Sequence, residues 1–173
     1  MSKIQEKMPV LFRHQGEWEG ICTVFDIKGK IIDEHESYLS CEFPEAGDYS
    51  YSQINRYTWA DGKQKEHHFT GIYEDKKLIF NTESIVGKAW EVDDSTILLW
   101  LSYKRLSNTY LYEMINISPC SQYRFRTWKW YKDNQVFKIT SAQEKRTSNG
   151  KLIIENRVVD SSQASYRNCP FTI

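Results

Sequence analysis

Arginine and tryptophan alternate with other residues along Tyr123–Tyr131, the segment YRFRTWKWY. Side chains of a β-strand point alternately to opposite faces, so Arg124, Arg126, Trp128 and Trp130 would share one face. Arginine is seldom buried without a partner, and its planar fork of donors pairs with carboxylates and stacks on aromatic rings. The pattern predicts a pocket whose arginines bind an anionic group and whose tryptophans stack on an aromatic body.

The next predicted strand, Val136–Glu144, follows Asp133-Asn134, two residues that favour a tight hairpin turn. A two-residue turn places Lys129 opposite Lys138, and two opposed lysines require solvent. The other face is then interior, with Arg124 opposite Gln143, Arg126 opposite Ser141, Trp128 opposite Ile139 and Trp130 opposite Phe137. This hairpin predicts an interior lined by arginine and aromatic side chains.

A second hairpin is indicated by Asp61-Gly62, which would pair Asn55 with His68 and Thr58 with Lys65. If the lysine-bearing face is again outside, the residues that point inward are Gln53, Asn55, Tyr57, Trp59, His68 and Thr70. An interior that is polar as well as aromatic is typical of a ligand cavity, because plain packing uses aliphatic side chains. The alternative is a satisfied buried polar network that holds the strand register.

A third constraint concerns Glu113. A four-residue loop Ser118–Ser121 would place Glu113 opposite Arg126 on the interior face, whereas an odd-length loop would turn Tyr112, Met114 and Asn116 inward. We expect the former, because a buried Arg126 needs a carboxylate or a ligand anion. Glu113 is then either a structural partner of Arg126 or part of a site. If they converge, Glu113, His68 and Arg126 are also candidates for acid–base catalysis.

Other chemistries find little support in the sequence. The cysteines (Cys22, Cys41, Cys120 and Cys169) have no CxxC or zinc-site spacing, and no Walker loop or Rossmann fingerprint occurs. Adjacent His67 and His68 point to opposite faces of a strand, so they cannot chelate one ion together. Cys22 would face inward as a small buried hydrophobic residue. We therefore predict no metal and no cofactor.

Turn residues recur at short intervals along the chain. They separate predicted strands at Gly16–Ile27, Ile31–Phe43, Tyr49–Ala60, Lys63–Glu74, Lys76–Ser84, Ala89–Val92, Thr96–Lys104, Tyr110–Ile117, Tyr123–Tyr131, Val136–Glu144 and Lys151–Val159. A short helix within Ser2–His14, interrupted by Pro9, precedes them. Short sequential connections predict a single all-β domain over residues 1–173, an antiparallel up-and-down barrel of nine or ten strands. An immunoglobulin-like sandwich is the alternative fold.

The composition restricts the partners. The 173 residues carry 23 basic and 23 acidic side chains, so no electrostatic attraction to nucleic acid or an anionic membrane is expected. No apolar run approaches a membrane span, and the N-terminus lacks the apolar stretch of a secretory signal. These features predict a cytoplasmic protein whose partner is a small-molecule ligand, and they leave its oligomeric state open.

Gly16-Glu17-Trp18 resembles the lipocalin G-x-W motif, in which a basic residue of the last strand packs over the tryptophan; here Arg146 or Lys145 would do so. A broader resemblance covers Trp18 to Arg146. The blocks GEWEG, QINRY, FTGIYED, GKAWEVDDSTILLWL, LYEMINIS and YRFRTWKWY resemble a lipocalin-like family of unknown function that is common in photosynthetic bacteria. That family often has a histidine where this chain has Lys129.

The resemblance implies a lipocalin-like (calycin) barrel, a superfamily that includes small-molecule carriers, bilin-chromophore lyases, and cyclases or isomerases of natural products. Fold alone does not choose among them. We interpret the chain as binding an aromatic or conjugated ligand with an anionic or polar end. The expected contacts are Gln53, Asn55, Tyr57, His68, Glu113, Arg124, Arg126, Trp128 and Trp130. An enzyme of the calycin type acting on a natural product in the same cavity is the alternative.

Overall fold

The computed structural model describes residues 3–147 and two short strands near the C-terminus, 152–154 and 157–159. Its elements are α1 Lys3–Lys7, α2 Pro9–Phe12, β1 Gly16–Phe25, β2 Ile31–Glu42, β3 Tyr51–Thr58, β4 Gln64–Glu74, β5 Lys77–Asn81, β6 Ile85–Glu91, β7 Thr96–Tyr103, β8 Thr109–Ile117, β9 Tyr123–Lys132, β10 Gln135–Arg146, β11 Leu152–Ile154 and β12 Arg157–Val159. Strands β1–β10 pair in sequence order, and β10 returns to β1 to close the barrel.

The predicted antiparallel up-and-down barrel is therefore confirmed, and the sandwich alternative is wrong. The predicted helix is present as two short helices that separate at Pro9, the first residue of α2; Ser2 lies outside the described residues. The predicted strand over residues 151–159 is instead the short pair β11 and β12. Neither described helix is long or apolar enough to cross a membrane.

The N-terminal segment closes one end of the barrel. Ile4, Met8 and Leu11 are buried in the hydrophobic core. Arg13 donates to Ser121 Oγ at 2.9 Å and to the Ser118 carbonyl at 2.6 Å, so it ties the segment to the β8–β9 loop. The opposite end, where the β1–β2, β3–β4, β5–β6, β7–β8 and β9–β10 loops lie, is called the mouth below.

A bulge in β10 changes the predicted pairing with β9. The Asp133-Asn134 turn forms as expected, with both residues at positive φ, but the register shifts between Val136 and Lys138. One extra residue in a strand turns all later side chains to the other face. The predicted interior placement of Phe137 and Ile139 is therefore wrong, as are the pairings of Arg126 with Ser141 and Arg124 with Gln143. Lys138, Thr140, Ala142, Glu144 and Arg146 face inward instead.

The β3–β4 hairpin also differs from its predicted register. Trp59 N donates to the Lys63 carbonyl at 2.9 Å, and Gly62 has φ +84°, so the loop has three residues rather than two. Asn55 consequently pairs with His67. His68 lies on the outer face, where its ring nitrogen is 2.6 Å from Glu66 Oε1. The inward placements of His68 and Thr70 are wrong, and His67 and Phe69 take those positions.

The β8–β9 register leaves Glu113 on the interior face. Ile117 pairs with Arg124, and Glu113 pairs with Trp128 rather than Arg126, a shift of two residues from the predicted pairing. A shift of two residues preserves the alternation of faces. The prediction that Glu113 points inward is therefore confirmed, while its predicted opposite residue is wrong.

Candidate functional site

The closed end of the interior is organised around Trp18. Its indole Nε1 donates to the His14 carbonyl at 2.9 Å. The guanidinium carbons of Arg146 and Arg124 lie 4.2 and 4.5 Å from the centre of its ring. The basic residue that the G-x-W resemblance implies is thus Arg146, while Lys145 points outward and pairs with Glu19 at 3.2 Å.

Arg146 also joins the barrel to the N-terminal segment. Its guanidinium donates to the backbone carbonyls of Ser121, Arg13 and Gln15, at 2.9 and 2.7 Å for the first two. Charge-assisted hydrogen bonds of this kind are stronger than neutral ones. The fully buried Trp18 and the largely buried Arg146 are therefore parts of the scaffold.

A buried ion network, formed by Arg124, Arg126, Glu113 and Glu144, lies next along the interior. Glu144 Oε2 accepts from Arg124 Nε at 2.6 Å and from Arg126 Nε at 3.1 Å, while Oε1 accepts from Arg126 Nη2 at 2.9 Å. Arg126 Nη1 donates to Glu113 Oε1 at 2.9 Å. Each carboxylate thus has an arginine partner, and Arg126 joins the two.

The two carboxylates of the network differ in exposure and in pKa. The Glu144 side chain is 0% exposed and that of Glu113 is 11% exposed, so Glu113 borders the open part of the interior. Burial alone would raise the pKa of Glu144, but Arg124 and Arg126 lower it below its usual value. Burial raises the pKa of Glu113, and Arg126 offsets only part of that rise.

A ladder of polar side chains runs along β3 from the closed end towards the mouth. Tyr51 donates to Gln53 Oε1, Gln53 Nε2 donates to Asn55 Oδ1 at 2.7 Å, and Asn55 Nδ2 donates to the Tyr57 hydroxyl at 3.0 Å. Burial raises the pKa of Tyr57 to about 12, so the hydroxyl is protonated at neutral pH. The ladder therefore ends in a phenol that points into the interior.

Aromatic side chains line the interior next to the mouth. We call this set the aromatic cup: Tyr57, Trp59, Phe69, Tyr103 and Trp130, all of which are partly exposed. Tyr103 stacks on Trp130, with ring centres 5.7 Å apart. Lys138 Nζ lies 4.3 Å from the centre of the Trp130 ring. A concave surface of aromatic rings with a few polar groups is typical of sites for small organic molecules.

A histidine–aspartate pair borders the aromatic cup. His35 Nδ1 is 2.9 Å from Asp33 Oδ2, and the indole of Trp59 donates to Asp33 Oδ1 at 2.9 Å. The His35 ring lies 5.0 Å from that of Tyr57 and 4.6 Å from that of Trp59. These contacts hold the Trp59 ring at the mouth.

Eight of the nine predicted ligand-binding residues face the interior, and the exception is His68. Gln53, Asn55 and Tyr57 belong to the ladder, and Glu113, Arg124 and Arg126 belong to the network. Trp128 is buried with the Arg126 guanidinium 5.0 Å from its ring centre, whereas Trp130 belongs to the cup. Of the three catalytic candidates, Glu113 and Arg126 converge and His68 does not. Whether these residues bind a ligand stays a prediction.

The interior residues that the sequence prediction missed include His35, Phe69, Tyr103, Lys138 and Glu144. Lys138 and Glu144 were missed because the β10 bulge reverses the alternation. His35 could have been found, because every second residue of a strand shares a face and His35 therefore lies on the same face as the apolar Leu39 and Cys41. Tyr103 could likewise have been found from Leu99 and Leu101.

A metal site and a surface site have less support than the interior. Within the described part of the chain, no three histidine, cysteine, aspartate or glutamate side chains meet in a group that could hold a metal ion. A groove of about 1370 Å³ runs over the outer surface of the barrel, lined by residues such as Ile21, Tyr38 and Phe125. Most side chains along it point to solvent. The interior, where buried polar groups and aromatic rings converge, is the better candidate.

Comparison with solved structures finds the same fold in proteins of low sequence identity. A DUF3598 protein of unknown function from Nostoc punctiforme PCC 73102 has a TM-score of 0.61 and 18% identity, covering 78% of this chain and 48% of that one. The chain thus spans about half the length of that protein. An S-type phycobiliprotein lyase from Guillardia theta has a TM-score of 0.62 and 17% identity, covering 85% and 93%. A protein from M. tuberculosis has a TM-score of 0.58 and 15% identity, covering 82% and 97%.

These identities are low, so the likenesses establish the fold and leave the activity open. No curated protein showed a significant match to the chain. The family model described as domain of unknown function DUF3598, N-terminal, matches residues 5–149. This confirms the resemblance to a lipocalin-like family of unknown function: the chain belongs to the DUF3598 family.

Proposed function

We propose that the open part of the barrel interior binds an aromatic or conjugated small molecule with an anionic or polar end. One observation carries the proposal: the aromatic cup points into the barrel and yet stays partly exposed, whereas Trp18 and Leu39 deeper in the barrel are fully buried. Aromatic rings left uncovered inside a barrel provide stacking surface for a flat ligand.

The proposal predicts a difference between two partly exposed tryptophans. Trp130 lies in the cup, and Trp100 on β7 points to the outer surface. We expect the anionic aromatic dye anilinonaphthalene sulfonate to bind, and Trp130→Ala to weaken this binding about tenfold, the effect of losing about 1.4 kcal/mol of stacking and burial. Trp100→Ala is the matched control and should leave the affinity unchanged. Fluorescence titration measures both, and equal losses in the two variants would contradict an interior site.

An enzyme acting on such a ligand in the same cavity, such as a cyclase, an isomerase or a bilin-chromophore lyase, is the second candidate. Glu113 favours it, because its pKa is raised and one of its oxygens has no protein partner among the described residues. A carboxyl of that kind can exchange a proton with a bound molecule. Mass spectrometry of ligand and protein after incubation with cell extract separates the two functions. An unaltered ligand that dissociates supports binding alone, and an altered or attached ligand supports an enzyme.

A further inference from the structure

Three polar groups face the open interior with hydrogen-bonding capacity that the protein does not use. Glu113 accepts one bond through Oε1, and its Oε2 has no partner among the described residues. The Tyr57 hydroxyl accepts from Asn55, and within the same residues its own hydrogen has no acceptor. The Tyr103 hydroxyl also has no hydrogen-bond partner in the described part of the chain. These three groups offer one acceptor and two donors.

Glu113 and Tyr103 are linked through the inner face of β9: Glu113 pairs with Trp128, and Tyr103 stacks on Trp130, two residues further along, with ring centres 5.7 Å apart. Burial raises the pKa of Tyr103, and Tyr57 and Glu113 raise it further. Burial likewise raises the pKa of Tyr57, which Arg126 lowers and Glu113 raises. Tyr57, at the end of the polar ladder on β3, faces the same interior.

The arginines of the buried ion network lie beside carboxylates, although Arg124 Nη2 has no hydrogen-bond partner among the described residues. Arg124 and Arg126 both bind Glu144, and Arg126 also binds Glu113. An anion placed beside Arg126 would meet these two carboxylates, and like charges repel strongly where little water is present. The two arginine charges are already balanced by the two carboxylates.

A cation without an ion pair is present at the mouth instead. Lys138 lies over the Trp130 ring, and no carboxylate of the described residues is within ion-pair distance of its Nζ. The nearby Asp33 is bonded to Trp59 and His35. An anionic group that stays at the mouth would therefore contact Lys138 and remain hydrated.

From this distribution we propose that the ligand enters with a neutral group that carries both a hydrogen-bond donor and an acceptor, such as the edge of a lactam ring, and leaves its anionic group at Lys138. The donor binds Glu113 Oε2, and the carbonyl accepts from the Tyr57 and Tyr103 hydroxyls. The inference rests on the proposed function and reverses the orientation predicted from the sequence, in which the arginines bind the anionic end.

Three aromatic probes of similar size test this orientation by isothermal titration calorimetry at neutral pH. Carbostyril is a neutral lactam, naphthoate is an anion without a lactam, and a carbostyril with a carboxylate on its benzo ring carries both groups. We expect the lactam with the carboxylate to bind most tightly and naphthoate most weakly.

The variants assign each end of the ligand. Glu113→Gln turns an amide N–H₂ towards the lactam donor and should weaken both carbostyrils about tenfold or more, as should Tyr57→Phe and Tyr103→Phe together. Lys138→Met should weaken only the probes with a carboxylate, by about two- to fivefold. Lys129→Met and Tyr112→Phe, both on the outer surface, are the matched controls and should change none of the affinities.

Two results would overturn the inference. If naphthoate binds more tightly than carbostyril and Glu113→Gln strengthens it further, the anion lies at the network and only the orientation is wrong. If none of the three probes binds while the protein stays folded by circular dichroism, the proposed interior site fails as well.

Discussion

Two cations over tryptophan rings, one at each end of the barrel interior, show how the two ends differ. Arg146 lies over Trp18 and donates to three backbone carbonyls, so its charge is used by the scaffold. Lys138 lies over Trp130 and has no ion pair among the described residues. Both ends have a basic side chain over a tryptophan ring. At the closed end the cation is fully hydrogen-bonded to the backbone, and at the mouth it has no ion pair among the described residues. Glu113 lies at the boundary between the two ends.

The largest expected effect is at the closed end. Glu144→Gln removes the carboxylate that binds both Arg124 and Arg126, and we expect it to lower the free energy of unfolding by about 3–5 kcal/mol, the cost of leaving buried charges without a partner. Urea denaturation measures the change. Glu19→Gln breaks the exposed pair with Lys145 and is the control, with an expected change under about 1 kcal/mol. A comparable loss in both variants would contradict the structural role of the network.

A smaller effect is expected at the boundary. Glu113→Gln should change the free energy of unfolding by about 1 kcal/mol or less at neutral pH, because Arg126 stays bonded to Glu144.

The pH dependence should have opposite signs for the two glutamates. The folded-state pKa of Glu113 is raised, so the stability it contributes is present below its unfolded value near 4.5 and is lost as the pH rises through the folded pKa. The folded-state pKa of Glu144 is lowered, so its contribution is present above 4.5 and is lost as the pH falls. Urea denaturation across this range should show that the wild-type protein loses stability as the pH rises and that Glu113→Gln removes this loss. The prediction is wrong if Glu113→Gln and Glu144→Gln both change the stability only at acidic pH.

The smallest effect is expected at the mouth. Lys138→Met removes one cation above an aromatic ring and should change the free energy of unfolding by about 1 kcal/mol or less. Arg146→Met removes the donor of three carbonyls and should cost at least about 2 kcal/mol, since each buried acceptor left without a partner costs about 1–3 kcal/mol. Thermal melts of the two variants provide the comparison. Equal shifts in melting temperature would show that the two ends do not differ in this way.

The sequence by itself determined the architecture and much of the interior. Short turns between alternating segments indicated nine or ten strands paired in order, because sequential strands joined by tight turns favour a meander. The alternation within β9 placed Arg124, Arg126, Trp128 and Trp130 on one face, and β9 has no bulge between Arg124 and Trp130 to disturb it. The resemblance to lipocalins predicted that Arg146 or Lys145 packs over Trp18, and the structure has Arg146 there.

Only the tertiary structure decided which residues of the neighbouring strands meet that face. A single bulged residue at Phe137 and a three-residue loop ending at Gly62 each shifted the register by one position. Either shift exchanges the inward and outward side chains, which brought Glu144 to the arginines and turned His68 to solvent. The alternation of residues along a strand does not reveal where one extra residue is inserted in a bulge or a loop. The hydrogen bonds and packing of the closed barrel select the register that buries the ion network.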